Sequence, residues 1–308
     1  MRISPLYYSV AHRPFFILPR TAEAESLLVM KLLEHDASLY GGSDKLSDKH
    51  PPRAAFVGAT GRTVVASAAQ AKDGGDVVPE GSVAVIQMRG TMMKEGTLCS
   101  YGTEELAELM TAAAMDGEVV GLVLDVDSGG GCVDAVAPMT QAIARCQSMG
   151  KPVVASCDLC ASAAYYVACH CDSVMANNDI SAEFGSIGVM TQLADYAGYY
   201  EQRGIKLHNI YSTLSEHKNA PFEAALKGDY KSIKEEELDP LARQFQSSVK
   251  AHRPGLDLKT EGLLSGRMFM YDEAQRVGLI DGIGTLDDAI SEVRRRAAEA
   301  HLEHYLRG

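Results

Sequence analysis

The stretch Val119-Val-Gly-Leu-Val-Leu-Asp-Val126 constrains the fold more than any other part of this chain. It is a nearly continuous apolar run, without the alternation of a strand that has one wet face, so it reads as a strand buried on both sides. Such strands belong to sheets covered by helices. The neighbouring sequence agrees. Val83-Ala-Val-Ile-Gln-Met88 reads as a strand, and Thr103 caps a helix with Glu104 and Glu105 behind it. After the buried run come a helix over Val133–Met149 closed by Gly150, a strand at Pro152–Ala155, a helix over Ala161–Ala168 and a strand at Ser173–Ala176. Strand–helix units of this length imply right-handed parallel crossovers and an α/β fold of repeated β-α units.

Downstream of Gly185-Ser-Ile-Gly188 the expected elements are an aromatic helix over Leu193–Arg203, a strand at Lys206–Tyr211 and a loop at Ser212–Pro221. A long charged helix over Asp229–Lys250 and closing helices over Asp272–Val277 and Leu286–His304 follow. Residues 1–80 read as irregular, an N-terminal extension that is partly helical or flexible, ahead of a main domain at 81–308. Within it Thr21 heads one helix whose face is Leu27, Leu28, Leu32 and Leu33. The breakers Gly41-Gly-Ser43, Pro51-Pro52 and Asp73-Gly-Gly-Asp76 interrupt the rest.

In α/β sheets chemistry gathers where strands end and loops enter helices. Two loops lie there. The first is Asp125-Val-Asp-Ser-Gly-Gly-Gly-Cys132. Its glycines permit positive φ and close backbone approach, and the next helix offers unpaired N–H donors. It reads as an oxyanion hole or a tight turn; a phosphate cradle lacks the Walker lysine and the dinucleotide glycine spacing. The second is Cys157-Asp-Leu-Cys-Ala-Ser162. A serine at this strand-to-helix transition is either a projecting nucleophile or a plain helix cap.

A nucleophilic serine needs a base. His170 lies eight residues on along the same expected helix, roughly 12 Å along the axis, and cannot reach Ser162. His217 and Lys218 sit together in the later polar loop, and either can return to the site. Lysine serves as a base for serine nucleophiles. An ordinary lysine, with a pKa of ~10.4, is charged at neutral pH, so the role demands desolvation. The alternative for Lys218 is an exposed loop residue.

Cys157-x-x-Cys160 and Cys169-His-Cys171 invite a zinc or redox reading, yet residues two apart on a helix diverge. Buried core cysteines are the simpler reading, and no metal and no cofactor are expected. The seven cysteines are odd in number and mostly central, which suits a reduced compartment. A net charge of −12 argues against nucleic-acid binding. No apolar run approaches the roughly 20 residues of a spanning helix, so a cytoplasmic protein without a membrane anchor is expected.

Taken in order from about Gly81 to Ile290, the motifs resemble the serine protease family of signal peptide peptidase A and its soluble phage relatives. Val83–Gly90 is similar to the family's opening strand, and Ser128-Gly-Gly-Gly131 stands for its Ser-Pro-Gly-Gly. Ala161-Ser-Ala-Ala-Tyr-Tyr166 stands for Ala-Ser-Gly-Gly-Tyr-Tyr, and Gly185-Ser-Ile-Gly-Val189 matches directly. Gly266-Arg-Met-Phe269 and Ala274-x-x-x-Gly-Leu-Ile-Asp281 resemble the closing segment. The resemblance implies a Clp-protease/crotonase-like fold and a Ser–Lys dyad. Ser162 would be the nucleophile, Lys218 the base and Ser186 the residue that holds the lysine. Backbone N–H groups of Gly130, Gly131 and Ala163 would form the oxyanion hole. It also implies a homo-oligomeric ring with sites completed between subunits, for which Asp229–Lys250 is a candidate interface. The departures are alanines after Ser162, glycine in place of proline at Gly129, and two extra residues between Ser162 and Ser186. The missing anchor points to capsid maturation inside a phage procapsid over signal-peptide digestion. An acyl-CoA enzyme on the same fold, and an inactive capsid scaffold subunit, are the alternatives.

Overall fold

The computed structural model describes residues 15–17, 51–68, 78–96, 100–193, 195–206 and 208–307. The helix expected from Thr21 lies outside the described residues.

The described chain opens with β1 (Phe15–Ile17), β2 (Arg53–Val57) and β3 (Thr63–Ser67). There follow β4 (Ser82–Arg89), α1 (Thr103–Met115), β5 (Val119–Ser128) and β6 (Gly130–Cys132). A short 3-10 turn leads into α2 (Val136–Ser148), then β7 (Val153–Ala161), α3 (Ala163–Ala168), β8 (Ser173–Ala176) and β9 (Glu183–Gly185). The remainder comprises α4 (Ala197–Gln202), α5 (Ala220–Leu226), a π-helical stretch, α6 (Asp239–His252), β10 (Met268–Met270), α7 (Tyr271–Arg276), β11 (Gly282–Ile283) and α8 (Leu286–Arg307).

One nine-stranded sheet organises these elements, in the order β10-β9-β7-β5-β4-β2-β3, with β8 between β7 and β11. The strands β4, β5, β7, β8 and β9 pair in parallel, so the repeated β-α units of the expected α/β fold are present. The apolar run at 119–126 is central because it is covered twice. On one face Leu122, Leu124 and Val126 join Ile86 and Met88 against Leu109, Met110, Met139 and Ile143 of α1 and α2. On the other, Val123 joins Val83, Val85 and Val154 against Ala289, Ile290 and Val293 of α8. Each such fully buried aliphatic side chain stabilises by about 1.5–3 kcal/mol. Gly121 makes the second contact possible, since a Cβ there would lie 2.6 Å from the Val293 side chain.

Three expectations need correction. Residues 53–67 are not irregular: β2 and β3 form an antiparallel pair, and β2 pairs with β4, extending the sheet upstream of residue 80. The buried apolar residues are Ala54, Phe56, Val64 and Ala66, an alternation that marks strands with one face on the core. No strand forms at the described residues of 206–211, where every one is exposed and none finds a sheet partner. The aromatic helix is shorter than expected, limited to Ala197–Gln202, and it buries no residue.

Candidate active site

The site is assembled where β5 and β7 end. Their register slips there, Val126 facing Cys157 but Ser128 facing Cys160. Two residues of β5 thus oppose three of β7, a bulge that re-aims the strand end. The bulge also divides β7 between two partners. Residues Val154–Cys157 pair with β8, whereas Leu159–Ala161 pair with β9. Both cysteines face the interior and are fully buried. The six described cysteines are all buried and in no disulfide, as packing residues would be.

Ser162 follows immediately. Its backbone is held at φ 54 and ψ −118, a left-handed conformation costing on the order of 1–3 kcal/mol for a residue with a Cβ. Its side chain makes no helix-capping hydrogen bond, so the helix-cap reading fails. The N–H of Ser162 donates to Gly185 O at 2.9 Å, and its Oγ lies 3.5 Å from Gly188 O, at the long limit of a hydrogen bond. The residue is 1% exposed.

Ser186 lies one residue beyond the Gly185 carbonyl and has the same kind of backbone, φ 52. It is buried, and its N–H donates to Arg267 O at 3.0 Å. Parallel pairing of Ala161 with Gly185 therefore brings two serines, 24 positions apart in sequence, to adjoining backbone positions. Only one further described non-glycine residue has positive φ, Asn219, beside Lys218.

The glycine loop closes the third side. Ser128 Oγ donates to Gly90 O at 2.6 Å and accepts from Gly130 N–H at 3.1 Å. Gly130 N–H is thus engaged within its own loop. Met92 pairs with the following residue in parallel, its N–H donating to Gly130 O and its carbonyl accepting from Cys132 N–H, both at 2.9 Å. A Cβ on Gly131 would stand 2.0 Å from Met92 O, so only glycine fits. The Ala163 N–H lies in the first turn of α3, where a helix provides no acceptor of its own.

The expected base is elsewhere in the single chain. Lys218 and His217 occupy an exposed turn ahead of α5. His217 meets Glu216 at 3.4 Å, and the Lys218 N–H donates to Ser215 O, but no hydrogen bond joins Lys218 to Ser162. No described residue from 191 to 219 is buried, and Ile205, Ile210 and Leu214 stand 45%, 90% and 94% exposed. His170 is tied up in another network, its Nδ1 2.7 Å from Tyr166 O and its Nε2 3.3 Å from Ser248 Oγ.

Cys169, His170 and His252 bring potential ligand atoms within 4.8 Å of one another. Their polar atoms are already committed: Cys169 Sγ donates to Tyr166 O, and His252 Nδ1 lies 2.8 Å from Ser248 O. Burial pushes the Cys169 thiol up to about 12, which opposes the thiolate a metal requires. The set fits a packed polar network better than a metal centre.

The serines and the glycine loop singled out in the sequence come together in the fold, but their backbone partners carried no sequence signal. The carbonyls of Gly188 and Arg267 and the bridging Met92 act through the backbone, which leaves no mark in side-chain identity.

The family described as Peptidase family S49 matches residues 145–300, more than half of the chain. Protease 4 of Haemophilus influenzae is 24% identical over 215 residues, covering 69% of this chain and 34% of the relative. Capsid assembly protease C of Escherichia phage lambda is 28% identical over 218 residues, covering 69% of this chain and 48% of the relative. The chain thus spans less than half the length of either. Among solved structures, the 1510-N membrane-bound stomatin-specific protease aligns with TM-score 0.43 and 14% identity over 68% of this chain and 83% of that one. An enoyl CoA isomerase from M. smegmatis aligns with TM-score 0.37 and 17% identity over 71% and 80%.

Proposed function

The chain belongs to peptidase family S49, and from that premise we propose that it is a serine endopeptidase with Ser162 as nucleophile and Lys218 as general base. The observation that carries this reading is the Ser162 backbone. A buried serine held in a strained conformation, with no capping bond to justify it, is a side chain placed for chemistry. In the proposed reaction neutral Lys218 takes the Oγ proton as Ser162 attacks the scissile carbonyl, and returns it to the leaving amine. The N–H groups of Gly131 and Ala163 receive the oxyanion. Gly130 N–H is bound to Ser128 Oγ, so it supports the loop more directly than the substrate. Ser186 orients the lysine amine.

Lys218 has to be brought to Ser162. The exposed apolar side chains of the 191–219 segment support a homo-oligomer in which this segment packs on a neighbouring subunit and completes the site. The substrate class we propose is protein, with capsid proteins of a phage procapsid as the natural target, in line with the phage relative above. Among the described residues no helix is long and apolar enough to cross a membrane.

The test is labelling by a fluorophosphonate probe, comparing the wild-type chain with Ser162→Ala, Lys218→Ala and His217→Ala. Labelling is expected in the wild type and His217→Ala, and lost in the other two. Labelling that survives Lys218→Ala but vanishes in His217→Ala would reassign the base. No labelling of the oligomer under any condition would leave a structural subunit.

A further inference from the structure

The glycine strand β6 has two edges, and both are occupied. Met92 fills one, using Gly130 O and Cys132 N–H. Backbone groups alternate along a strand, so the N–H and carbonyl of Gly131 point to the opposite edge. There β1 lies antiparallel to β6, with Phe15 facing Cys132, Phe16 facing Gly131 and Ile17 facing Gly130. Phe16 and Gly131 are consequently the hydrogen-bonded pair. The same three-residue strand lies beside α3, the helix that starts after Ser162. With β1 in place Gly130, Gly131, Cys132 and Ser162 are all buried.

We propose that the outer edge of β6 is a docking edge for an extended peptide, and that the chain's own N-terminal segment Phe15–Ile17 occupies it and excludes other peptides. Pairing to two glycines asks nothing of side chains on the β6 side, so recognition runs through backbone hydrogen bonds, as in strand addition. The segment is bounded in sequence by Pro14 and Pro19. Neither has an N–H to give, which keeps any strand here short. Three residues are too few to form an independent strand, so this occupant is displaceable. The peptidase reading enters at one point: Gly131 N–H, assigned above to the oxyanion, is the group that Phe16 covers. A substrate strand and the N-terminal segment then compete for one edge, and apparent affinity falls by the fraction of chains in which the edge is filled.

The experiment uses the full-length Ser162→Ala chain and a fluorescein-labelled synthetic peptide with the sequence of residues 13–20, read by anisotropy. Phe16→Pro removes the N–H that pairs with Gly131 and should raise affinity for the added peptide about tenfold, equivalent to about 1.4 kcal/mol. Phe15→Cys places a thiol opposite Cys132 at a non-hydrogen-bonded position, where Cα atoms are about 4.5 Å apart and within disulfide reach. Mild oxidation should give that cross-link by peptide mapping and abolish binding, and reduction should restore it. Failure of the cross-link, or equal affinity in the parent and Phe16→Pro chains, overturns the proposal. Fluorophosphonate labelling of the Phe16→Pro chain with Ser162 intact separates the two readings. Tighter peptide binding without any labelling would refute the peptidase reading and leave the docking edge standing.

Discussion

Gly131→Ala is the sharpest single perturbation of the site. The new methyl would stand 2.0 Å from Met92 O and 2.6 Å from Met92 C and N. These are backbone atoms, which cannot swing aside as a side-chain end does. Ordinary contact needs about 3.5 Å, so β6 and the Met92 segment must part by about 1–1.5 Å. The two 2.9 Å hydrogen bonds that flank the contact stretch with it. Overpacking of this kind costs about 1–3 kcal/mol. Weakening two buried bonds, each worth about 0.5–1.5 kcal/mol net, brings the loss to about 3 kcal/mol. The Gly131 N–H moves by a similar distance, and an ångström of misplacement, or one lost oxyanion donor, costs about 10²–10³ in rate. The assay is the fluorophosphonate labelling rate of Ser162, measured well below the Tm of the variant, with thermal unfolding alongside. Gly188→Ala is the steric control, because its Cβ would meet nothing nearer than 3.9 Å, and its Tm should match the wild type. If Gly131→Ala labels at the wild-type rate with an unchanged Tm, the close approach of Met92 and the oxyanion role both fail.

Other expectations follow from polar contacts. Tyr165→Phe removes a fully buried hydroxyl that donates to Leu279 O at 2.7 Å, leaving the carbonyl unpaired. The expected loss is about 2 kcal/mol, a fall in Tm of about 4 °C by calorimetry, and no change would show that water replaces the bond. Burial, and then the nearby His252 charge, hold the His170 imidazole down to about 4, against the Tyr166 carbonyl that favours the cation. The unfolded chain takes up that proton first, near 6.5, so stability should be level above pH 6.5 and fall as pH drops toward 4. After discounting for its partial exposure the fall is about 1–2 kcal/mol, and His170→Gln should flatten it in urea titrations at a series of pH values. Arg253→Met breaks the paired hydrogen bonds to Asp281, at 2.7 and 2.8 Å, and leaves the carboxylate with Val174 N–H, the Ser173 hydroxyl and solvent. Because Asp281 is half exposed to water, the loss should be only about 1 kcal/mol, and Asp281→Asn in the same chain should recover part of it.

The extent to which the chain could be read in advance depends on how local each signal is. The run at 119–126 identified itself because burial on two faces removes all polar alternation, and the helices beside it carry their own periodicity, although the first starts from Gly102 and is not capped by Thr103. Ser162 stood out because a strand of β-branched residues ends just before small helical ones. The glycine loop was equally visible. By contrast β2 and β3 were hidden among breakers, with a short five-residue alternation each. The expected strand at 206–211 had the right composition, yet its described residues are exposed and unpaired in the single chain.

The sequence by itself therefore determined the repeated β-α order, the double cover of β5 and the position of Ser162 at a strand end, since each follows from spacing within about a dozen residues. Only the tertiary structure decided that β7 changes partners at its bulge, that Ser186 comes beside Ser162, that Met92 presses on Gly131 and that β1 pairs with the glycine strand. These contacts are made by backbone N–H and carbonyl groups of residues far apart in the chain. Every residue except proline carries both groups, so nothing in the order of side chains announces which will meet.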